Sequence, residues 1–526
     1  MIARFRFSTV LLSAALGLIV SACTAEDRRT TQALTLDNAL RVILISDMDA
    51  DTSGAALAVN IGSMADGDFP GIAHFLEHML FLGTEKYPNP GGYQKYLSEH
   101  GGFANAYTAE DHTNYQFQVG PQALKGALDR FAQFFISPLM TDKLSSREVN
   151  AVDSEHSKNL ENDLWRQRQV FQTLINPEHP RHNFGTGNLE TLARVRNEIL
   201  RGFYAKHYSA NRMALCVVGP FPIDTLENWT KSMFAEIKNK RLKPFEVKGR
   251  MFTEMAGKTV NVKSVNDIRS VQLHFELDAD SFDHAAKPGN IVGSIIGHEG
   301  RESLLQNLKD EGWATGLSAG SQQVGPTGTF DISITLTAAG LEQRQAVVER
   351  TFGMLNMLRS GGDLPDYLFR EAQEMAEIGL RFRQPGRPFA ETRTLAAAMM
   401  KYPHENLLAH LFLIQKPSQG ATRHLLQQLR PDNVVVFVNA IELEADKKEK
   451  YYGSEYSVRP FSSSLKTRLT RAMPQGRMGL PAANPFLPED FKLVTTRHAA
   501  EPYVHKFDQG ELWLRHDAQF QQPKAR

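Results

Sequence analysis

Residues 71–84 read Gly-Ile-Ala-His-Phe-Leu-Glu-His-Met-Leu-Phe-Leu-Gly-Thr, and they constrain the fold more than any other stretch. Ile72–Leu82 is apolar enough for a packed helix, yet it carries His74, Glu77 and His78. On a helix, His74 and His78 are i and i+4 and share a face, and Glu77 lies at its edge. Phe75, Leu76, Met79, Leu80 and Phe81 require the rest of the helix to be buried. Two imidazoles and a carboxylate are costly to bury unless something is bound to them. Two neutral imidazoles on a zinc ion leave room for a third protein ligand and a water, the pattern of a catalytic site. Glu77 is then placed to take a proton from that water. The other reading is a helix with two satisfied surface histidines. With 17 His in 526 residues, chance supplies a His-x-x-Glu-His on the order of 0.03 times per chain.

The motif is the inverted zinc motif, and residues 71–84 throughout resemble the motif helix of the pitrilysin–insulysin (insulinase-like) family of zinc metallopeptidases. That resemblance implies further residues. The family's third zinc ligand is a Glu on a later helix, and Arg147-Glu-Val-Asn-Ala-Val-Asp-Ser-Glu-His156 is similar to that segment. By this match Glu155 completes a single Zn2+ site with His74 and His78. Glu148, two turns earlier on the same face, would orient a ligating His through its other ring nitrogen. Without the resemblance, a Glu pair at i and i+7 reads as a solvated face. Gly101-Gly-Phe-Ala-Asn-Ala-Tyr-Thr108 resembles the edge strand that takes up substrate by strand addition. Asn105 and Ala106 would contact the substrate main chain, and Tyr107 would border a side-chain pocket. A turn into an ordinary edge strand is the alternative. Ile296–Gly300 and Gly312–Gly320 resemble segments that anchor a substrate's N-terminus, which assigns Leu317, Ala319 and Gly320 to an exosite. Ser318 and Ala319 depart from the residue types expected there. His100 and His112 match no ligand position and read as structural.

Periodicity organises the rest. Strands are expected at Ala55–Ile61, His112–Val119 and Met213–Val218. Helices are expected at Gly91–His100, Gln122–Ile136, Leu192–His207 and Asp224–Ile237, with one long polar helix from Asp142 to about Ile175. A similar order recurs: strands Lys258–Val262, Val271–Leu277, Phe330–Leu336 and Asn433–Asn439, among helices from Ile291–Ile296 through Tyr367–Arg383 to Ala421–Leu429. Both stretches close on helix, turn and apolar strand. The pattern implies an α+β protein with two duplicated domains of about 200 residues each, and the resemblance implies that they are α/β sandwiches of the pitrilysin type. The expected boundaries are 23–255 for the catalytic zinc-binding domain and 256–458 for its homologue. Residues 459–526 are expected to be a linker, rich in Ser, Pro, Gly and Arg to about Pro488. It leads into a two-strand β stub (Phe491–Val494 and Glu511–Arg515) of a truncated third domain.

Residues 1–22 read as a lipoprotein signal peptide, with Arg4 and Arg6 ahead of the apolar run Phe7–Val20. Val20-Ser21-Ala22-Cys23 resembles a bacterial lipobox, in which Cys23 is lipidated; an ordinary cleaved signal or an uncleaved anchor are the alternatives. Export, with a lipid anchor in a bacterial outer membrane facing the periplasm, is the resulting expectation. Cys216, the other of two cysteines, reads as a buried strand thiol, so any metal must be held by His and carboxylates. Lys+Arg and Asp+Glu are both 59, which gives no basic excess for nucleic acid. The resemblance implies endopeptidase action on peptides of limited size inside a closed chamber. Full-length members have a second half that closes it and supplies an Arg and a Tyr to the substrate. That leaves a separate C-terminal-half subunit or homo-oligomer, a truncated product, or a half-chamber acting alone. A non-catalytic subunit that binds peptide or assembles with a partner is the alternative to an enzyme.

Overall fold

A computed structural model describes residues 29–492 and 501–515. The expected signal peptide and Cys23 lie outside them. Strand β2 (Arg41–Asp47) points Val42 and Leu44 to one side and Ile43 and Ile45 to the other, and all four are buried. Such a strand must be covered on both faces, as apolar runs without alternation require. It lies in a six-stranded sheet with β1 (Arg29–Thr35), β3 (Ser53–Val59), β4 (Phe103–Thr108), β5 (Thr113–Val119) and β6 (Met213–Gly219), in the order β1-β2-β6-β3-β5-β4. Only β2 and β6 are parallel; every other pairing in this sheet is antiparallel. Strand β4 is an edge.

One face of this sheet carries α1 (Ile72–Leu80), α2 (Gly92–Glu99), α3 (Leu124–Ile136), α7 (Asn197–His207) and α8 (Ile223–Phe234). Between α3 and α7 come α4 (Asp142–Lys158), α5 (Asp163–Leu174) and the single turn α6 (Leu189–Leu192). The expected helix from Asp142 to Ile175 is thus two. The first stops at Lys158 in a tight turn, where Asn159 N donates to the His156 carbonyl at 3.0 Å, and Asn162 starts the second, its side-chain oxygen accepting from Leu164 N at 3.0 Å and Trp165 N at 3.4 Å. Leu192–His207 is divided too, since α6 ends at Leu192 and α7 starts at Asn197; Asn188 and Thr191 form a capping box at the start of α6.

The second sheet has seven strands: β7 (Lys258–Lys263), β8 (Ser270–Leu277), β9 (Ala314–Val324), β10 (Thr327–Leu336), β11 (Val434–Ala440), β12 (Lys447–Lys448) and β13 (Glu455–Pro460). Their order is β12-β13-β7-β11-β8-β10-β9. The run β7-β11-β8-β10-β9 repeats β2-β6-β3-β5-β4 strand for strand, with its one parallel pair in the same place. Edge strand β9 is therefore the counterpart of β4. Helices α9 (Pro288–Ile296), α10 (Leu304–Asp310), α11 (Ala338–Glu342), α12 (Arg344–Ser360), α13 (Asp366–Arg381) and α16 (Gln419–Gln428) pack on one face.

The other face of each sheet is covered from the other half of the chain. Helices α14 (Pro388–Ala398) and α15 (Leu407–Phe412), with the turn after α14, place Leu395, Ala396, Met399 and Leu407 against Ile43, Ile45, Ala56 and Cys216 of the first sheet. Helix α5 places Val170 against Val260, Val262, Val435 and Phe437 of the second. Each fully buried Leu, Ile or Val contributes about 1.5–3 kcal/mol, so this exchange ties the two sheets into one unit.

Residues 459–478, expected within a linker, are instead structured. Pro460 ends β13, Ser462 caps α17 (Ser463–Arg471), and Phe461, Leu469 and Met478 are buried in the second core. Three apolar anchors suffice to dock a polar segment whose composition shows no periodicity. Of the first expected stub strand, Phe491 and Lys492 are not in a strand, and residues 493 and 494 lie outside the described residues. The hairpin is β14 (Tyr503–Phe507) with β15 (Gly510–Leu514).

Candidate active site

Helix α1 is set in place by its N-terminus. Asp66, buried, accepts from Gly71 N at 2.7 Å and Ala73 N at 3.0 Å and so satisfies two of the free donors there. Burial pushes its carboxyl well above the ordinary value, against those two hydrogen bonds. Gly71 has φ +91°, and a Cβ there would lie 2.3 Å from Gly187 Cα. Only glycine allows the loop at 185–187 to pass so close.

That close approach positions the first imidazole. His74 Nδ1 donates to the Thr186 carbonyl at 2.7 Å, which leaves Nε2 as the nitrogen that could bind a metal. His78 Nδ1 faces Glu148 Oε2 at 3.4 Å, so its Nε2 is also directed away. Glu155 Oε2 lies 3.4 Å from His74 Nε2 and 3.7 Å from His78 Nε2. One ligand atom from each of His74, His78 and Glu155 falls within 4.8 Å of the others. Two imidazole nitrogens and one carboxylate oxygen, with the outer ring nitrogens held elsewhere, suit zinc. The charge pattern agrees. Burial alone would lower His78, but the Glu148 and Glu155 carboxylates raise it to about 10. At His74 burial again opposes the upward shift, and Glu155 and then Glu77 outweigh it. Glu155 is held well below the usual carboxylate range by His74 and then His78. The three carboxylates thus gather negative charge around the two imidazoles, the electrostatic field a cation-binding cluster provides.

Glu77 is buried, and its Oε2 accepts from Thr108 Oγ1 at 2.6 Å. Burial raises its carboxyl above the ordinary value, opposed by His74, Thr108 and His78. Thr108 closes edge strand β4, so the hydrogen bond couples the carboxylate to the strand beside it. A cleft of about 590 Å³ runs between α1, β4, α4 and α5. Asn105, Ala106 and Tyr107 line it together with His74, Glu77, His78 and Glu155. Among the described residues, β5 is the one strand that pairs with β4. The Tyr107 hydroxyl meets His112 Nε2 at 3.0 Å, and the Arg393 guanidinium of α14 lies 4.8 Å from the Tyr107 ring centre. His112 is therefore near the cleft wall, whereas His100 bonds to the Tyr96 carbonyl away from it.

Leu317, Ala319 and Gly320 lie on edge strand β9 and line a separate groove of about 490 Å³ against α9. Gly293 permits that packing, since a Cβ there would stand 2.8 Å from the Ala319 carbonyl oxygen. His298 accepts from Gly300 N at 2.9 Å and closes a turn. Sequence reasoning assigned no role to Thr108 or Thr186. Thr108 stands at the end of the quoted edge-strand motif, which was the available signal; Thr186 acts through its carbonyl, which side-chain chemistry does not reveal.

Residues 41–178 match the family model described as insulinase (peptidase family M16), residues 194–376 the M16 inactive domain, and residues 380–526 the middle or third domain of M16. The chain is 37% identical to insulin-degrading enzyme of Homo sapiens, over 95% of this chain and 50% of that protein. It is equally 37% identical to the A-factor-processing enzyme of Saccharomyces cerevisiae, with the same 95% of this chain and 50% of the relative covered. The chain thus spans about half the length of the curated relatives it matches. The crystal structure of pitrilysin superposes with a TM-score of 0.89 at 29% identity, covering 95% of this chain and 54% of that one. A protease from Helicobacter pylori shares the fold, at a TM-score of 0.62 and 18% identity over 78% of this chain and 99% of that one. Three family models in series and a duplicated sheet that superposes on pitrilysin agree: the chain belongs to the insulinase-like peptidase family M16.

Proposed function

We propose that this chain is a zinc-dependent metalloendopeptidase, or the catalytic half of one, that hydrolyses peptides and small proteins lying extended along β4. The observation that carries the reading is the convergence of His74 Nε2, His78 Nε2 and Glu155 Oε2 within 4.8 Å, in a cleft shared with buried Glu77 and an edge strand. His74, His78 and Glu155 would hold one Zn2+, and Glu148 would fix the His78 ring through Nδ1. Zinc, when bound there, polarises the scissile carbonyl and lowers the pKa of the attacking water. Glu77 takes a proton from that water as its oxygen adds to the carbonyl carbon. It then returns the proton to the amine nitrogen as the C–N bond breaks. The Thr108 hydroxyl keeps one Glu77 oxygen engaged and so directs the other. Strand addition to β4 would lay the substrate main chain against Asn105 and Ala106, with a side chain beside Tyr107. Leu317, Ala319 and Gly320 would hold the substrate's N-terminal end.

The test is zinc stoichiometry together with cleavage of a quenched-fluorescent peptide, for wild type and Glu77→Gln. One zinc per chain and a loss of about 10²–10⁴-fold in the variant, with zinc retained, supports the reading. Zinc bound without Glu77-dependent cleavage, even with a candidate C-terminal half added, sinks it. That outcome would favour a second reading, motivated by the half-length match to the relatives: a non-catalytic half-chamber subunit that binds peptide or joins a partner half. Lipid anchoring through Cys23 belongs to the same proposal, on the strength of Val20-Ser21-Ala22-Cys23 alone. Radiolabelled palmitate incorporated equally by wild type and Cys23→Ser would remove it.

A further inference from the structure

We propose that the turn Glu449–Ser454 of the second domain positions the metal ligands of the first, acting through Tyr451 and Tyr452. The proposal rests on the reading of His74, His78 and Glu155 as a zinc site. The turn joins β12 to β13 and is stiff. Glu449 is 2% exposed, and its carboxylate accepts from Tyr451 N at 2.8 Å and Tyr452 N at 2.7 Å. Glu449 N in turn donates to the Ser454 carbonyl at 2.8 Å.

Two hydrogen bonds run from this turn to the neighbours of metal ligands. His156, the residue after Glu155, is 6% exposed and donates from Nε2 to the Tyr451 carbonyl at 3.0 Å. The Tyr452 hydroxyl lies 3.2 Å from Thr186 Oγ1, and the Thr186 carbonyl is the group that holds His74 Nδ1. Ring packing reinforces both: Tyr451 stacks on Phe184 at 4.0 Å, and Tyr452 meets His156 edge-on at 4.9 Å. Arg166 donates to the Tyr452 carbonyl at 2.9 Å and to the Leu160 carbonyl at 3.0 Å, which holds the α4–α5 junction.

The need for such a device is local. Glu155 sits in the last turn of α4, where helices fray, and its side chain is 53% exposed. A side chain half in solvent is only weakly fixed by its own packing. His78 differs, since Glu148 of the same domain supports it. Among the described residues the second domain provides no ligand, yet it is one residue removed from two of the three. Outer partners of metal ligands typically change affinity by about 10–100-fold.

The test measures Zn2+ affinity of the full chain by competition with a chromophoric chelator, and the visible spectrum of the Co2+-substituted protein. The variants are Tyr452→Phe, which removes one hydroxyl, His156→Leu, and His156→Gln, which retains a side-chain N–H donor. Expected are affinity losses of about 10-fold in Tyr452→Phe and His156→Leu, an altered cobalt spectrum, and recovery in His156→Gln. Wild-type affinity and spectrum in Tyr452→Phe and His156→Leu overturn the proposal. So does a loss that follows only a lowered melting temperature of the metal-free protein and is not recovered by Gln. Should His156→Leu fail to fold, Tyr452→Phe decides alone. A wild-type chain that takes up no zinc overturns the metal-site reading itself, which is a separate result from zinc bound equally by all variants.

Discussion

Asp111 joins the edge-strand hairpin of the first sheet to the second domain, and replacing it with Asn makes that joint measurable. Its Oδ1 accepts from His112 Nδ1 at 2.7 Å, and its Oδ2 accepts from Gly325 N, in the β9–β10 turn, at 3.1 Å. Burial alone would raise its carboxyl, but the His112 hydrogen bond and charge, then Lys401 and the Gly325 amide, bring it down to about 2 from 3.8. A carboxyl depressed on folding contributes stability that is present above the unfolded value and lost as pH falls through the folded one. The window is therefore from about 3.8 down to about 2. At ~1.36 kcal/mol per pH unit, that gap corresponds to about 2 kcal/mol. The side chain is only 15% exposed, so solvent screening removes little of it. Asn keeps the shape and one acceptor but not the charge. Urea unfolding at pH 7, 5, 3 and 2 should show Asp111→Asn about 2 kcal/mol less stable at pH 7 and 5. The difference should shrink at pH 3 and nearly vanish at pH 2. A difference that stays constant across the series, or grows toward pH 2, would refute the assignment of a native charged Asp111. Because His112 also holds the Tyr107 hydroxyl, the same variant should raise KM for peptide more than it lowers kcat.

Three further outcomes are expected. Glu148→Gln removes the charged partner of His78 Nδ1, and Zn2+ affinity measured by chelator competition should fall about 10–100-fold while the fold, by circular dichroism, is unchanged. Gly71→Ala forces a Cβ to within 2.3 Å of Gly187 Cα at φ +91°; the loop carrying Thr186 must shift, and both zinc content and melting temperature should drop. Leu395→Ala empties a site that is 2% exposed between α14 and the first sheet. It should cost about 2–5 kcal/mol and make the region around β3 and β6 exchange amide hydrogens faster, although both strands are remote from Leu395 in sequence.

The motif helix shows what one-dimensional information can carry. His74, Glu77 and His78 are fixed relative to one another by the helix period, so their spacing reveals their common face before any tertiary contact is known. The same holds for apolar strands such as β6 and β11, whose continuous burial follows from composition. The repeated strand–helix order implied the duplication, and the strand orders of the two sheets display it. Where the reading failed, local hydrogen bonding or remote packing outweighed periodicity. The long polar helix stops at Lys158 and restarts where the Asn162 side-chain oxygen caps the amide donors of α5, and 459–478 is folded because three apolar residues find a core supplied by distant strands.

The sequence by itself therefore determined the helix that bears the polar trio, the buried strands and the repeat, since each depends on the conformation of a few successive residues. Family resemblance pointed to Glu148 and Glu155 where periodicity alone would have left them on a solvated face. Only the tertiary structure decided that Glu155 Oε2 meets both imidazoles, that Thr108 holds Glu77, and that each sheet is covered by a helix from the other half. Such contacts join residues tens to hundreds of positions apart. Their formation depends on packing and loop closure across the whole chain, which no local pattern encodes.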